Sequence, residues 1–284
     1  MTSIMEPMAK MLKPSEIREL KDDEYLNEES GLICCGVCHT LRQIRQSFLG
    51  KEFVHDCLCR CQAHQLEQET AERQEIERMD EISRMKTEGL QDKYLRDYTF
   101  ENDEGYNPKE MTFARKYVSE WETMKEKGKG LLLWGDVGTG KSFIAGCIAN
   151  ALIEQRVPVL MTNFPKIMNA LTSNRDMDKN AYVDSLNKYS LLILDDLGVG
   201  NNTPYSMAQM FHVIDSRYRS KKPMIVTTNT PLDEMRFTGD LDLKRIYDRI
   251  QERCTPVKVN SVSIRRQKTA CENEEMRSLL SACG

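Results

Sequence analysis

The sequence predicts an α/β fold, in which a parallel β-sheet flanked by helices follows a small cysteine-rich module. Short apolar runs alternate with helical patterns from residue 94 onward, which is typical of a parallel sheet. Six of the ten cysteines lie between Cys34 and Cys61, which predicts the module. We therefore expect an N-terminal arm (1–30), the module (31–66), a charged linker helix (67–93), the α/β domain (94–270) and a tail (271–284).

The composition restricts the function classes. The formal net charge is −4, so any contact with nucleic acid should be a local patch rather than the whole surface. Residues 1–21 lack an apolar core of signal-peptide length, and no apolar run of 18 residues occurs. We expect a cytoplasmic protein with no membrane partner. The arm is polar and mixed in charge, with a short helix near Ser15–Leu20.

The clustered cysteines predict a closed, structural metal site. A C-x-x-C turn is followed, after a loop of about twenty residues, by a second group of three cysteines. Four thiolates from two such turns can surround Zn²⁺ tetrahedrally, and a module this short needs such a centre to fold. The preferred ligands are Cys35, Cys38, Cys59 and Cys61. The sequence also offers Cys34, Cys57, His39 and His55, and the alternative interpretation is a set of free or redox-active thiols.

Two helical patterns precede the first predicted strand. Residues 62–93 are highly charged with few apolar positions, which favours a solvated helix or a plain linker. Phe113, Tyr117, Trp121 and Met124 then follow one another at spacings of four, four and three. These side chains share one face of a helix, and we expect that face to lie in the core.

Residues 131–142 carry the strongest motif in the chain. An apolar strand is followed by the pattern G-x-x-x-x-G-K-S and by the start of a helix, the context that a phosphate-binding loop requires. Glycines allow a tight turn whose N–H groups point inward, and the helix dipole adds positive charge. Lys141 can reach the β- and γ-phosphates, and the Ser142 hydroxyl can ligate Mg²⁺. The residues expected to bind ATP here are Gly135, Asp136, Val137, Gly138, Thr139, Gly140, Lys141, Ser142 and Phe143.

Acidic and amide side chains follow the next strands. Residues 157–162 form a second predicted strand, and the four apolar residues before Asp195 and Asp196 form a third. Asp195 would hold Mg²⁺ through water, and Asp196 would polarise the attacking water. Asn229 ends the strand that begins at Pro223 and is positioned to orient that water, although an ordinary turn residue is the alternative. Phe100 could lie against the adenine.

The motif order resembles the AAA+ ATPases of the DnaC-type helicase loaders, with the IstB transposition ATPases as close relatives and the initiator DnaA more distant. The resemblance covers roughly residues 94–268 and is most specific at 223–230 and at the paired acids. It implies that Arg249 is an arginine finger acting on ATP in a neighbouring subunit. It also implies that Arg265 is the sensor-2 arginine of its own subunit. Residues 164–187, with Lys166, Arg175 and Lys179, sit where the family has a helix that contacts single-stranded DNA.

The resemblance implies an ATPase that assembles as a homo-oligomer and loads a replicative helicase onto single-stranded DNA. The cysteine module resembles the zinc-binding N-terminal domain with which some loaders dock on the helicase. The alternative is an IstB-type ATPase that coats duplex DNA and recruits a transposase. A third interpretation, an ATP-binding adaptor that never hydrolyses, is disfavoured by the presence of Asp195, Asp196 and Asn229.

Overall fold

The computed structural model describes residues 19–173, 178–198 and 203–281. The chain divides into two compact units, Met1–Met79 and Asp80–Gly284. Most of the expected arm, most of its short helix and Arg175 lie outside the described residues. Within those residues, no helix combines the length and the apolar character needed to cross a membrane.

The first unit contains two small antiparallel sheets. Strand β1 (Glu24–Leu26) pairs with β2 (Ile33–Cys35), and β3 (Gln43–Phe48) pairs with β4 (Lys51–Asp56). Strand β1 belongs to residues expected to form a mobile arm, so the described part of the arm is folded onto the cysteine region. Helix α1 (Arg60–Gly89) begins within the residues assigned to the module and continues into the second unit. It therefore begins earlier than the predicted linker helix.

The second unit is built on a five-stranded sheet, which confirms the predicted fold class. Its strands are β5 (Gly130–Trp134), β6 (Val159–Asn163), β7 (Leu191–Leu197), β8 (Met224–Thr228) and β9 (Cys254–Lys258). All neighbouring strands are parallel, and their spatial order is β6-β7-β8-β5-β9. Because the strands are parallel, their carboxyl ends meet at one edge of the sheet, where ligands bind in open α/β folds.

Helices cover both faces of this sheet. The helices that follow α1 are α2 (Pro108–Ser119), α3 (Trp121–Lys127), α4 (Lys141–Glu154), α5 (Phe164–Ser173), α6 (Lys179–Ser185), α7 (Pro204–Arg219), α8 (Leu232–Phe237), α9 (Leu241–Arg253) and the largely exposed α10 (Ile264–Ser281). In β7, Leu191 and Ile193 belong to one buried cluster, whereas Leu192 and Leu194 belong to the other. A strand covered on both faces needs a continuous apolar run, which explains the pattern seen in the sequence.

Two expectations about helices require correction. The pattern from Phe113 to Met124 does not form one helix, because α2 ends at Ser119 and α3 begins at Trp121. Tyr117 and Trp121 are buried as expected, but Phe113 is 60% exposed. The expected tail boundary at residue 270 also falls inside α10, which continues to Ser281.

Candidate nucleotide-binding site and cysteine centre

The loop between β5 and α4 has the backbone geometry that its glycines predict. Gly135, Gly138 and Gly140 have φ angles of 148°, 82° and 98°. A Cβ atom on Gly135 would lie 2.3 Å from the carbonyl oxygen of Val259, and one on Gly138 would lie 2.4 Å from the Ser263 hydroxyl oxygen. Both the left-handed backbone and the close packing therefore exclude larger residues at these two positions.

Lys141, the first residue of α4, lies at the mouth of this loop. Its side-chain nitrogen donates to the carbonyl oxygens of Gly135 and Asp136 over 2.9 and 2.7 Å, and the residue is 5% exposed. Burial lowers the pKa of Lys141, while the neighbouring carboxylates Asp196 and Asp195 act in the opposite direction. The ammonium group is thus held among acceptors on the side of the loop where phosphates would bind.

Strand β7 delivers the two acids next to that ammonium. The register between β7 and β8 shifts between Leu194 and Leu197, and Asp196 within this bulge has a φ of 53°. Thr227 of β8 links the pair: its hydroxyl donates to a carboxylate oxygen of Asp195 over 2.6 Å and accepts the Asp196 N–H over 2.8 Å. Because of the bulge, Asp195 and Asp196 do not simply alternate between the two faces of the strand.

The Ser142 hydroxyl lies close enough to lower the pKa of Asp195, so the two side chains expected at Mg²⁺ are neighbours. Burial raises the pKa of Asp195, and the Thr227 and Ser142 hydroxyls oppose that rise. A carboxylate and a hydroxyl are oxygen donors of the kind Mg²⁺ prefers, usually with several waters retained. The residues present therefore fit the ion.

A cavity of about 340 Å³ opens from the loop. Six residues expected at the nucleotide line it together with the loop glycines Gly138 and Gly140: Val137, Lys141, Ser142, Phe143, Asn229 and Arg265. Asp196 lines it as well. The sequence did not predict the remaining wall, which consists of Tyr98, Asn102, Asp103, Glu104, Tyr106, Asn107, Met111, Ile264 and Lys268.

Aromatic residues do line the cavity, but they are Tyr98, Tyr106 and Phe143. The Tyr98 ring packs edge-on against Phe143 with centroids 5.2 Å apart. Phe100, suggested as the adenine contact, instead packs against the core with the Arg115 guanidinium 4.4 Å from its ring centroid, and it does not line the cavity. The sequence Tyr-Thr-Phe at residues 98–100 placed an aromatic residue near the cavity but did not show which of its two rings lines it.

Asn150 on α4 fixes the position of Tyr98. Its side-chain amide is 1% exposed and donates to the carbonyl oxygens of Leu95 and Tyr98 over 2.8 and 2.9 Å. A Cβ atom on Gly146, one turn earlier, would lie 2.7 Å from the Tyr98 side chain. The helix that begins at the phosphate loop thus holds the chain that forms the opposite wall. Nothing in the sequence pattern distinguished Asn150 from an ordinary helical asparagine.

The two arginines named by the resemblance occupy different places. Arg265, at the start of α10, lines the cavity. Arg249 of α9 does not line it; its guanidinium pairs with Asp215 of α7 at 2.8 Å. The same guanidinium lies 5.2 and 4.8 Å from the ring centroids of Phe211 and Tyr218, which leaves the side chain 31% exposed. Arg249 therefore does not reach the nucleotide site of its own chain.

In the first unit, the four preferred cysteines converge. All four sulfur atoms of Cys35, Cys38, Cys59 and Cys61 lie within 4.8 Å of one another. Cys61 is 3.3 Å from Cys38, 3.4 Å from Cys59 and 3.5 Å from Cys35. Tetrahedral zinc, with bonds of about 2.3 Å, needs sulfur separations of about 3.8 Å, so a small adjustment accommodates the ion.

The other donors that the sequence offered lie elsewhere. Cys34 is buried on β2, and the Cys57 thiol contacts the Leu41 carbonyl oxygen. His39 packs edge-on against Tyr25, and His55 stacks on Phe53. The strands explain this selection, because Cys34 and Cys35 point to opposite sides of β2.

The fold and the loop geometry define a P-loop nucleotide-binding protein. The family model described as IstB-like ATP binding protein matches residues 57–271, and the chain belongs to this family. An insertion sequence ATP-binding protein of Sinorhizobium fredii is 31% identical over 53% of this chain and 51% of its own length. The replicative helicase loader DnaC of Escherichia coli is 28% identical over 49% of this chain and 55% of its own. The chain thus spans about half the length of these relatives.

A solved structure shows the same fold. The crystal structure of DnaI superposes with a TM-score of 0.50 at 23% sequence identity, covering 61% of this chain and 93% of DnaI. This likeness confirms the fold, and the family match together with the DnaC relative confirms the expected relationship to the IstB and DnaC group.

Proposed function

We propose that this protein is an ATP-dependent loader that binds a replicative helicase and delivers it to single-stranded DNA. Relatives named as replicative helicase loaders support this function. The observation that carries it is the convergence of four cysteine sulfurs in a unit separate from the ATP site. Such a closed metal site builds a recognition module rather than a catalyst, and we assign to it the contact with the helicase.

In this proposal, each residue of the nucleotide site has a distinct role. The loop amides and Lys141 hold the phosphates, while Ser142 and Asp195 hold Mg²⁺, which would neutralise phosphate charge. Asp196 and Asn229 orient the attacking water. Arg265 contacts the phosphates from within the same subunit.

Arg249 is proposed to act on the ATP of a neighbouring subunit. Because Arg249 does not line its own cavity, it can serve a neighbouring one, for which its ion pair with Asp215 would have to open. Isolated subunits should then hydrolyse ATP slowly, because arginine fingers accelerate hydrolysis about 10³- to 10⁵-fold in other NTPases. Mixing Asp196→Asn with Arg249→Ala subunits should restore activity that neither variant has alone. Full activity of Arg249→Ala at all protein concentrations would refute this role.

The helicase contact is tested with the full chain. The protein is mixed with a replicative helicase, with and without ATP, and the mass of the complex is measured. We expect a complex that dissociates when ATP and single-stranded DNA are supplied together. A Cys59→Ser variant should lose the complex but retain ATP binding, and Cys57→Ser, outside the sulfur cluster, is the matched control. Equal complex formation by all three proteins would exclude the cysteine unit as the docking module.

The second candidate is the IstB-type activity, which the family model and the Sinorhizobium relative favour. Such a protein would coat duplex DNA through many phosphate contacts, so its affinity should fall steeply with salt. The net charge of −4 is unfavourable for extensive phosphate contact. ATP-dependent, salt-sensitive binding to long duplexes, without a helicase complex, would select this function.

A further inference from the structure

Arg42 is the residue around which the cysteine unit is organised. Its backbone N–H donates to the Ile33 carbonyl oxygen over 2.8 Å, and its carbonyl oxygen accepts the Cys57 N–H over 2.7 Å. Arg42 therefore links β2, which carries Cys35, to the segment that carries Cys59 and Cys61. It is 4% exposed, which is rare for an arginine unless its charge is compensated.

The guanidinium of Arg42 lies between sulfur and carboxylates. One terminal nitrogen is 3.4 Å from the sulfur of Cys35 and 2.6 Å from a carboxylate oxygen of Asp23. The other donates to Asp23 over 3.1 Å and to Glu24 over 2.9 Å. The neighbouring Cys59 also raises the pKa of Arg42. The side chain therefore contacts Cys35, lies beside a second clustered cysteine and pairs with two acids at the start of β1.

These contacts join groups that would otherwise repel each other. Four thiolates around Zn²⁺ carry a net charge of −2, and the Glu24 carboxylate nearby is only 1% exposed. In a site of low polarity, adjacent like charges are costly, and a cation between them removes that cost. Arg42 is the basic side chain that the described structure places at this position, and its planar fork can contact both sides at once.

We propose that Arg42 is a positioning residue for the metal centre: it orients and neutralises the sulfur cluster and couples β1 to metal binding. The inference rests on the zinc site proposed above. Outer contacts of this kind hold metal ligands in place, and their loss typically weakens metal affinity about 10- to 100-fold. The residues of β1 should accordingly become ordered only when the metal is bound.

The test compares metal binding by full-length variants. Zinc affinity is measured by competition with a chromophoric chelator, and Co²⁺ spectra report whether four sulfurs surround the metal. Arg42→Met should weaken zinc binding about 10- to 100-fold. The zinc affinity of Arg42→Lys should lie between those of Arg42→Met and the wild type. Arg45→Met, which alters a half-exposed arginine on β3, should bind zinc like the wild type. Equal affinities for Arg42→Met and Arg45→Met would overturn the proposal.

A double variant separates charge from packing. If Arg42 acts by separating negative groups, Arg42→Met combined with Glu24→Gln, which neutralises the buried acid, should regain part of the lost affinity. If the double variant regains no zinc affinity, the electrostatic role is wrong. This criterion applies even if Arg42→Met alone does not give a four-sulfur Co²⁺ spectrum. Amide exchange at residues 24–26 should slow on zinc addition in the wild type but not in Arg42→Met. A wild-type protein that binds no zinc would refute the zinc site itself, whereas tight zinc binding by Arg42→Met would refute only the role of Arg42.

Discussion

The two units of this protein are stabilised in different ways. In the cysteine unit, the buried apolar residues of the described structure are Leu32, Ile33, Cys34, Cys35 and Cys59. In the ATP-binding unit, two extensive apolar clusters cover the two faces of a parallel sheet. The nucleotide site is therefore carried by a fold that is stable without it. The sulfur centre, by contrast, supplies most of what holds its own unit together.

The exposed ribbon of β3 and β4 illustrates the difference. Phe48 and Leu49 at its turn are 57% and 85% exposed, and the ribbon contributes few buried side chains. A two-stranded hairpin is marginal in water without further packing. Ligand substitutions in the cysteine unit should thus abolish its fold, whereas site substitutions in the ATP-binding unit should leave that unit folded.

The largest expected effect is that of metal removal. Structural zinc contributes about 10–16 kcal/mol in small cysteine modules, so a strong chelator should unfold residues 24–61 while ATP binding persists. On the same sample, amide exchange measures the unfolding of residues 24–61 and titration measures ATP binding. If the amides between Ile33 and Cys59 remained protected without metal, the comparison between the units would be wrong.

Next in size is the loss of ATP binding on Lys141→Ala. The substitution removes an ammonium group from the phosphates, and hydrogen bonds to charged groups contribute about 1.5–3 kcal/mol each, so affinity should fall about 100-fold. Burial already disfavours the charged form of Lys141, so its removal should cost at most about 1–3 kcal/mol, from the Gly135 and Asp136 carbonyl oxygens that lose their donor, and the fold should persist. Titration with labelled ATP and thermal unfolding test this, with the exposed Lys116→Ala as control. Unfolding of Lys141→Ala would contradict the view that the fold is independent of its site.

Asn150→Leu should have a smaller effect. Leaving the carbonyl oxygens of Leu95 and Tyr98 without their amide donor costs about 1–3 kcal/mol and loosens the cavity wall. ATP affinity should therefore fall, whereas the affinity for inorganic tripolyphosphate, which has no base, should be unchanged. The exposed Asn169→Leu on α5 is the matched control. Equal losses for both ligands would show a general defect rather than misplacement of Tyr98.

The smallest expected effect is a gain in stability on Asp195→Asn. Burial raises the folded-state pKa of Asp195 above its unfolded value, so the ionised carboxylate is unfavourable in the folded protein at neutral pH. The amide should raise Tm by about 2–4 °C, or about 1 kcal/mol, while Mg²⁺-dependent hydrolysis is lost. The gain should shrink as the pH falls through the folded-state pKa, because the wild-type carboxyl group then becomes neutral. Thermal unfolding of both proteins from pH 4 to 8 measures this difference in Tm. A lower Tm of Asp195→Asn than of the wild type at pH 7 would contradict the prediction.

The fold could be predicted because its pattern is local. Four apolar runs, each ending in a turn or a polar residue, specify buried parallel strands, and all four are present, whereas the edge strand β9 is largely exposed and has no such run. Helix ends were less predictable: the spacing of Phe113 and Trp121 fits one helix, yet the chain turns at Glu120. Periodicity indicates which side chains share a face but does not show where tertiary packing interrupts a helix.

The sequence by itself determined the phosphate loop, the two acids of β7 and the cysteine-rich segment as a candidate metal site, since short-range spacing marks each set. Only the tertiary structure decided that Tyr98 rather than Phe100 lines the cavity, and that Asn150 holds it there. It alone placed Arg42 between sulfur and carboxylate. Such contacts join residues far apart in the chain, and they depend on how elements pack, which no local pattern encodes.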